Sequence, residues 1–304
     1  MTTLGLIGLG RMGGNMARRL QQGGVHVVAH DRNQEVTLSL SIECGVTVAR
    51  STAELVAQLP SPRMVWLMLP AGEAVEQQIT QLLPLLTAGD IIVDGGNSWF
   101  KDSLRRAEQL QAHGIHFIDA GVSGGIWGLA NGYCVMAGGD DSAIEKLTPV
   151  LQALAPAADR GWLHTGPVGS GHFVKMVHNG IEYGMMQSFA EGFALMKARE
   201  DFDLDLAGIA ELWRHSSVVR SWLLDLCADF LQHDQQLENI APVVADSGEG
   251  RWTALEAIEK GIPAPVMSLA LMMRFASQGK ADFGDKMLAK MREGFGGHAI
   301  QTKA

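Results

Sequence analysis

The sequence contains little cysteine, has fewer basic than acidic residues, and has no long hydrophobic run. Its three cysteines, Cys44, Cys134 and Cys227, are widely separated and form no C-x-x-C pair. Neither a disulfide framework nor a thiolate metal site is therefore indicated, and a reducing, cytoplasmic location is expected. No apolar run approaches the roughly 18 residues that a membrane-spanning helix needs. The first basic residue, Arg11, lies within a glycine-rich stretch, which is not typical of a signal peptide.

The charge balance limits the classes of partner. With 24 Lys and Arg against 33 Asp and Glu, the net charge is −9, and such a field repels nucleic acid. An anionic substrate would have to be held by a few local cations. The 304 residues, 47% of them hydrophobic and 19% charged, predict a globular protein of one large or two ordinary domains.

Strand-like and helix-like stretches alternate in the first half of the chain. Short β-branched runs predict strands at 4–7, 25–29, 64–69, 91–94, 117–119 and 133–137, and helical spacing predicts helices at 11–22, 34–44, 73–86 and 103–113. This alternation indicates a mostly parallel, doubly wound sheet. The strand-like runs then end, which predicts an α/β domain over residues 1–164 and an all-α domain with a C-terminal tail over residues 165–304.

A glycine-rich loop follows the first predicted strand and opens a predicted helix. Gly8, Gly10 and Gly13 form the G-x-G-x-x-G pattern, whose glycines permit a tight turn, the approach of a pyrophosphate and close helix packing. Asp31 lies 18 positions after Gly13, near the separation expected of the carboxylate that accepts from the adenosine ribose, which favours NAD over NADP. Arg32 is an argument against this preference for NAD if it pairs with the 2′-phosphate of NADP, whereas it is neutral if it only stacks on the adenine. The context predicts a Rossmann-type dinucleotide site.

Three further loops follow predicted strands. Two of them, at 67–72 and 94–98, are expected at the edge of the sheet where dinucleotides bind. The third contains Ser123, Gly124 and Gly125, which offer a hydroxyl and two positions where a ligand can approach the backbone. The predicted cofactor-binding residues are Gly8, Leu9, Gly10, Arg11, Met12, Gly13, Asp31, Arg32, Asn33, Leu69, Pro70, Ala71 and Asn97.

A polar stripe occurs in the first predicted helix of the second half. Lys175, His178, Asn179 and Glu182 follow one another at spacings i, i+3, i+4 and i+7, which on a helix confines them to an arc of about 100°. The flanking residues are largely apolar, which indicates a buried helix. A polar stripe on such a helix faces either an internal network or a substrate cleft, whereas a solvated face is the alternative.

Taken together, these segments resemble the 6-phosphogluconate dehydrogenases, and more narrowly their short form with one helical domain. The resemblance covers nearly the whole chain and rests on the segments at 8–15, 94–98, 121–125, 175–180, 248–253 and 292–298. The first three are shared by the wider β-hydroxyacid dehydrogenases. His178, the Glu182-Tyr183 pair and the tail from Arg292 to His298 are more specific to the phosphogluconate branch.

The resemblance implies an activity: oxidative decarboxylation of 6-phospho-D-gluconate to D-ribulose 5-phosphate and CO2, with reduction of NAD, or of NADP more weakly. It implies that Lys175 is the general base on the C3 hydroxyl and that Glu182 protonates C1 of the enediol. Lys175 must be neutral to accept a proton, and burial beside a cofactor cation would favour that form. A 3-keto acid loses CO2 without a metal ion, and no metal-ligand motif is present, so no metal is expected.

The resemblance also implies a substrate site. The sugar acid would be held by Asn97, Ser123, Gly124, Gly125, His178 and Asn179. The phosphate would be held by Tyr183, Arg274 and Arg292, and arginine suits this task because its planar fork binds phosphate oxygens bidentately. His298 would belong to the same site.

Two departures from the long form accompany the resemblance. Ser247 stands where the long form has a phosphate-binding lysine, and Glu249 stands where it has a threonine, so Ser247 would donate one hydrogen bond and Arg251 is a candidate replacement cation. The duplicated helical domain of the long form does not fit into 304 residues. A single helical domain would leave apolar surface exposed, which predicts a homo-oligomer, a dimer or a tetramer, whose tail with Arg292 and His298 completes a neighbour's site.

Two rival functions remain open at this stage. A dehydrogenase of a non-phosphorylated β-hydroxyacid, of the 3-hydroxyisobutyrate type, would use the same Lys175 and Asn179 without decarboxylation. Ser247 and Glu249 favour this rival, whereas His178, Arg274 and the tail oppose it. A catalytically silent NAD-binding regulator would require the polar stripe from Lys175 to Glu182 to be accidental.

Overall fold

The amino-terminal part of the chain is built on one eight-stranded sheet. In a computed structural model, which describes residues 2–302, the strands are β1 Thr3–Ile7, β2 His26–His30, β3 Thr47–Val48, β4 Met64–Leu67, β5 Ile91–Asp94, β6 His116–Ser123, β7 Cys134–Gly138 and β8 Trp162–Gly166. Their order across the sheet is β3-β2-β1-β4-β5-β6-β7-β8. Neighbouring strands are parallel except β6 and β7. The first six strands have the order of a dinucleotide-binding sheet.

Helices connect the strands and follow the sheet. They are α1 Arg11–Gln22, α2 Gln34–Cys44, α3 Thr52–Ala57, α4 Glu73–Leu82, α5 Phe100–Gln111, α6 Gly128–Asn131, α7 Asp141–Leu154, α8 Ser170–Lys197, α9 Leu206–Arg214, α10 Trp222–His233, α11 Glu249–Lys260, α12 Pro265–Ser277 and α13 Asp282–Gly296, with 3-10 turns at Gly125–Trp127 and Glu200–Phe202. The predicted fold class, a Rossmann-type α/β domain followed by an all-α domain, is confirmed.

Alternate residues of the inner strands enter different cores. Leu6, Trp66 and Val93 belong to one buried cluster, whereas Ile7 and Leu67 belong to another. Because successive side chains of a strand point to opposite faces of the sheet, both faces are covered by helices. This explains why the strands read as continuous apolar runs in the sequence.

The chain divides into two compact units after Met176, inside α8. The second unit is helical, and its buried residues include Leu206 and Ala210 of α9 and Leu224 of α10. The domain boundary predicted between residues 164 and 165 remains a prediction, and Met1, Lys303 and Ala304, which the predicted domains include, lie outside the described residues. Between residues 2 and 302, no helix has the length and apolar character that crossing a membrane requires.

Several element boundaries differ from the predicted ones. The strand predicted at 117–119 extends to Ser123, because an antiparallel partner, β7, continues its ladder through that residue. The helix predicted at 73–86 ends at Leu82. The short strand β3, the helices α3 and α7 and the strand β8 have no counterpart among the predicted elements. β8 is only partly buried. Its sequence, WLHTG, has neither the apolar run of a central strand nor a clear alternation of apolar and polar residues, and therefore it does not predict a strand.

Candidate active site

The glycine loop after β1 has the geometry that a dinucleotide requires. Gly8 has a φ of +93°, which only glycine adopts readily. A Cβ atom on Gly13 would lie 2.0 Å from the Gly8 carbonyl oxygen, so α1 can approach the loop only with glycine there. A Cβ atom on Gly10 would meet nothing within 4 Å. The space in front of Gly10, at the N-terminus of α1, is therefore open to a pyrophosphate.

Asp31 lies directly beside this loop. Its Oδ2 accepts a hydrogen bond from the Leu9 N–H at 2.7 Å, and its Oδ1 accepts from the Asn33 N–H at 2.8 Å. The two bonds fix the carboxylate at the carboxyl end of β2, where the remaining lone pairs can accept from ribose hydroxyls. The same negative charge disfavours a 2′-phosphate.

Two cavities contain most of the predicted cofactor residues. One, of about 340 Å³, is lined by Gly8, Gly10, Asp31, Arg32, Leu69 and Pro70. The other, of about 450 Å³, is lined by Leu9, Gly10, Arg11 and Asn33. Met12 instead packs against the core, and Ala71 is exposed on the loop after β4. Gln78 and Gln81 of α4 also line the first cavity, although no sequence pattern identified them.

A buried ion network supports the loop that carries Asn97. Asp94, at the end of β5, accepts from the Gly96 N–H at 3.0 Å and from the Ser98 hydroxyl at 2.7 Å. Arg106 of α5 donates to Asp94 Oδ2 at 2.9 Å and to Glu76 Oε1 at 2.9 Å. Both Asp94 and Arg106 are fully buried. The turn from Asp94 to Ser98 is thereby held rigidly.

Asn97 and Lys175 meet at this turn. The Lys175 Nζ donates a hydrogen bond to the Asn97 Oδ1. Lys175 reaches this position because α8 runs close to β6: a Cβ atom on Gly121 would lie 2.5 Å from the Lys175 Cβ. The predicted catalytic amine is therefore held by a predicted substrate-binding amide. Ser123 ends β6, and Gly124 and Gly125 follow it with φ values of +130° and +52°.

The start of α8 is anchored by a buried carboxylate that the motif analysis missed. Asp119 of β6 accepts from the Gly169 N–H at 2.6 Å and from the His172 N–H at 2.7 Å. Burial raises the pKa of Asp119 to about 7, against the opposing effect of these backbone N–H groups. His172 is also buried, which lowers its pKa, and its Nδ1 lies 2.7 Å from the Ser103 hydroxyl. These contacts position the helix one turn before Lys175.

Asp119 is expected to make the stability of the protein fall as the pH rises. A raised pKa means that the folded state binds more protons than the unfolded chain, so its contribution is fully present below pH 3.8 and is lost as the pH rises through about 7. The difference between the two pKa values corresponds to about 4 kcal/mol. Urea unfolding between about pH 5 and pH 8 should show the larger part of this loss in the native protein and not in Asp119→Asn.

Asp90 provides the matched control for this experiment. It is also fully buried, but its pKa is lowered because hydrogen bonds from Thr87 and Arg63 outweigh the effect of burial. Its contribution is therefore lost only on acidification, and Asp90→Asn should retain the slope between about pH 5 and pH 8. An equal slope in the native protein and in Asp119→Asn would contradict the assignment.

In the second unit, the polar stripe of α8 contacts α11. The Asn179 Nδ2 donates to Glu249 Oε1 at 2.8 Å, and the Asn179 Oδ1 lies 2.9 Å from the His178 Nδ1. Glu249 is 4% exposed. Glu182 lies on the same helix and is half-buried. A carboxylate thus takes the position at which the resemblance expects a threonine.

Three residues of the predicted phosphate site lie together. The Arg274 guanidinium stacks on the Tyr183 ring at 3.4 Å from its centroid, and it donates to the Ala245 carbonyl at 2.9 Å. The Tyr183 hydroxyl accepts from the Ser247 N–H at 3.3 Å. Arg251 instead binds Asp246 through two hydrogen bonds of 2.8 and 2.9 Å. Its charge is therefore already balanced, and it is a poor replacement for the missing lysine.

The two predicted site residues of the tail lie at the carboxyl-terminal end of the chain. Arg292 is on α13 and His298 follows that helix, and both are exposed. Their role in a neighbouring copy remains a prediction. In the described part of the chain, no three or more His, Cys, Asp or Glu side chains are grouped so that they could hold a metal ion.

Comparisons with known proteins show the family of the chain. Two family models match the chain: the NAD binding domain of 6-phosphogluconate dehydrogenase over residues 3–165, and the C-terminal domain of 6-phosphogluconate dehydrogenase over residues 171–301. The NAD(+)-dependent, decarboxylating 6-phosphogluconate dehydrogenase of Haloferax volcanii is 42% identical over 301 residues, which are 99% of each chain. The predicted resemblance is confirmed.

Two solved structures are similar to this chain over most of its length. The 6-phosphogluconate dehydrogenase of Plasmodium falciparum matches with a TM-score of 0.85 and 32% identity, over 99% of this chain and 66% of that one. A 3-hydroxyisobutyrate dehydrogenase of Mycobacterium tuberculosis matches with a TM-score of 0.72 and 25% identity, over 93% and 94% of the two chains. Because both family models match in order along almost the full length, the chain belongs to the 6-phosphogluconate dehydrogenase family.

Proposed function

We propose that this protein catalyses the oxidative decarboxylation of 6-phospho-D-gluconate to D-ribulose 5-phosphate and CO2, with NAD as the preferred oxidant. The phosphorylated substrate is supported by Arg274, which stacks on Tyr183 beside Ser247. The observation that carries the oxidation step is the hydrogen bond between Lys175 and Asn97. It places an amine beside the loop after β5, at the carboxyl edge of the sheet where dinucleotides bind. A base at that edge suits the removal of a hydroxyl proton during hydride transfer.

Lys175 is the proposed base of the oxidation step. In its neutral form the amine accepts the proton of the C3 hydroxyl while the C3 hydride leaves. Asn97 orients the amine, because its carbonyl oxygen accepts a hydrogen bond from the Lys175 Nζ. Ser123 and the two glycines after it offer a hydroxyl and open backbone to the sugar acid.

Glu182 is the proposed acid of the second step. The 3-keto acid that oxidation produces loses its carboxylate carbon as CO2, and the proton held by Lys175 returns to the C3 oxygen, which leaves an enediol. The enediol becomes ribulose 5-phosphate when the carbon that becomes C1 of the product gains a proton and the hydroxyl proton of the former C3 oxygen passes back to Lys175. Glu182 follows Lys175 by seven positions on α8, on the same side of the helix. A protonated carboxyl there can supply the proton at C1, and it completes the chemistry without a metal ion.

The nucleotide site fits NAD. The open space in front of Gly10 and the carboxylate of Asp31 match a pyrophosphate and an unphosphorylated ribose. When bound, NAD supplies the hydride acceptor. Arg32 lines the same cavity, and we assign it to the adenine, so that NADP is accepted more weakly.

The phosphate of the substrate is assigned to Tyr183, Ser247 and Arg274. The stacked guanidinium of Arg274 keeps donor groups on its edge for phosphate oxygens, and the Ser247 hydroxyl adds one donor. We assign the sugar-acid hydroxyls to His178 and Asn179.

The test is the initial rate of NADH formation with 6-phosphogluconate, with trapped CO2 measured in parallel. We expect equal amounts of NADH and CO2, and a lower kcat/KM when NADP replaces NAD. 3-Hydroxyisobutyrate serves as the comparison substrate. Reduction of NAD by 3-hydroxyisobutyrate alone, or reduction without CO2, would overturn the proposal in favour of a dehydrogenase for a non-phosphorylated acid.

We also propose that the enzyme is a cytoplasmic homo-oligomer, a dimer or a tetramer. Large apolar side chains of the second unit, among them Leu195, Val218 and Ile258, are more than two-thirds exposed, and a second copy would cover such a surface. The tail with Arg292 and His298 would then complete a neighbour's site. Analytical ultracentrifugation at micromolar concentration should show the oligomer, and a monomer would refute this proposal.

A further inference from the structure

The helices α8 and α11 approach each other closely at two glycines. A Cβ atom on Gly180 would lie 2.7 Å from the Thr253 methyl group, and one on Gly250 would lie 2.5 Å from the Tyr183 ring. Neither contact leaves room for a larger residue without a shift of the helices. The close approach allows the short side chain of Asn179 to reach Glu249.

Glu249 is placed so that its side-chain oxygen can accept a hydrogen bond from the neighbouring helix. It is the first residue of α11, where the exposed N–H groups and the helix dipole stabilise an anion. Its Oε1 accepts the hydrogen bond of Asn179, and its side chain is almost completely buried. A buried carboxylate in such a position acts as a hydrogen-bond acceptor only.

The acceptor character of Glu249 determines the direction of the next two hydrogen bonds. Because a carboxylate cannot donate, the NH2 end of the Asn179 amide must face Glu249. The carbonyl end then faces His178, whose Nδ1 lies 2.9 Å away. A carbonyl oxygen cannot donate either, so the His178 Nδ1 must carry a proton. In the neutral imidazole the Nε2 is then a lone-pair acceptor.

We propose that Glu249 is a positioning residue that selects the Nδ1–H tautomer of His178 through Asn179. The Nε2 of His178 is then prepared to accept a hydrogen bond from a hydroxyl group, and it is unsuited to a phosphate or carboxylate oxygen. The choice of a sugar hydroxyl as its partner rests on the proposed function, whereas the tautomer itself does not. Glu249 would thus add to specificity without touching the substrate.

A threonine would not have the same effect. Its hydroxyl can donate or accept, so both orientations of the Asn179 amide would be satisfied and His178 would be free to adopt either tautomer. The difference between Glu249 and the threonine of the long form therefore changes which tautomers His178 can adopt, in addition to any change at the phosphate site.

The tautomer can be measured directly by NMR. The protein is labelled with ¹⁵N-histidine, and the ring nitrogens of His178 are assigned by comparison with His178→Gln. We expect the Nδ1–H pattern in the native enzyme and a mixture of both tautomers in Glu249→Gln, because glutamine can present either end of its amide. Glu249→Thr is the second variant and should show the same mixture.

Glu256→Gln is the matched control. Glu256 lies on the same helix, is 8% exposed and interacts with Lys260, so the variant removes a buried carboxylate without affecting Asn179. The His178 signals should not change. A native enzyme with the Nε2–H tautomer, or a Glu249→Gln enzyme that keeps the single Nδ1–H tautomer, would overturn the proposal.

Kinetics distinguish this proposal from the proposed function. Loss of one oriented hydrogen bond should raise the KM for 6-phosphogluconate about tenfold in Glu249→Gln, with the KM for NAD unchanged. A parallel rise in both KM values would indicate general disruption and would contradict the positioning role. If the native enzyme shows the Nδ1–H tautomer but does not oxidise 6-phosphogluconate, the proposed function fails and the tautomer selection stands.

Discussion

Replacement of Lys175 by methionine is expected to lower kcat with 6-phosphogluconate by about 10²- to 10⁴-fold. Methionine keeps most of the length and apolar stem of lysine, so packing against β6 near Gly121 is retained. It removes the amine that binds Asn97, and with it the group proposed to take the C3 hydroxyl proton. The glycine loop and Asp31 are untouched, so the affinity for NAD should not change.

Three measurements check this expectation. Steady-state kinetics gives kcat, a fluorescence titration gives the Kd for NADH, and thermal unfolding shows whether the variant folds. Lys197→Met is the control, because Lys197 is the last residue of the same helix and binds Gln236 instead. The base assignment would be wrong if Lys175→Met kept a kcat near that of Lys197→Met while still binding NADH.

The dinucleotide half of the fold could be predicted because its signals are local. The glycines at 8, 10 and 13 lie within six residues, and their backbone requirements follow from a strand, a turn and a helix in succession. The helix of Lys175 could also be predicted, because its polar stripe has a regular spacing. Such local patterns can be identified in the sequence because they do not depend on residues that are distant along the chain.

The groups that hold the site in place could not be predicted in this way. Asp119 and His172 are 53 positions apart, and Asn179 and Glu249 are 70 positions apart. Their contacts exist only because strands or helices that are distant in sequence are packed together. In the sequence, Glu249 is distinguished only as a departure from the long form, and its pairing with Asn179 depends on two glycines whose importance no short motif reveals.

The ion network that supports the Asn97 loop also depends on residues that are separated in sequence. Arg106 and Asp94 are separated by 12 positions, and Arg106 and Glu76 by 30. In sequence, Arg106 looks like one of two basic residues on a surface helix. In the folded chain it is completely buried, whereas its neighbour Arg105 is 53% exposed.

This contrast predicts a large difference between two adjacent substitutions. Arg106→Met should lower the free energy of unfolding by about 3–5 kcal/mol, because it leaves Asp94 as a buried charge without its counter-ion. Arg105→Met removes a partner of Glu76 at the surface and should lower the free energy of unfolding by at most about 1 kcal/mol. Urea unfolding of the two variants at the same pH measures both values.

A second substitution identifies the cause of the loss. If the unpaired charge of Asp94 is responsible, Asp94→Asn in the Arg106→Met background should recover part of the stability, since position 94 then carries no buried charge. A loss due only to packing would not be recovered.

The same two variants should also differ in their kinetics. Asp94 holds the Gly96 N–H and the Ser98 hydroxyl on either side of Asn97. Arg106→Met should therefore lower kcat as well, whereas Arg105→Met should not, and equal effects of the two variants on stability and kcat would contradict the supporting role of the network.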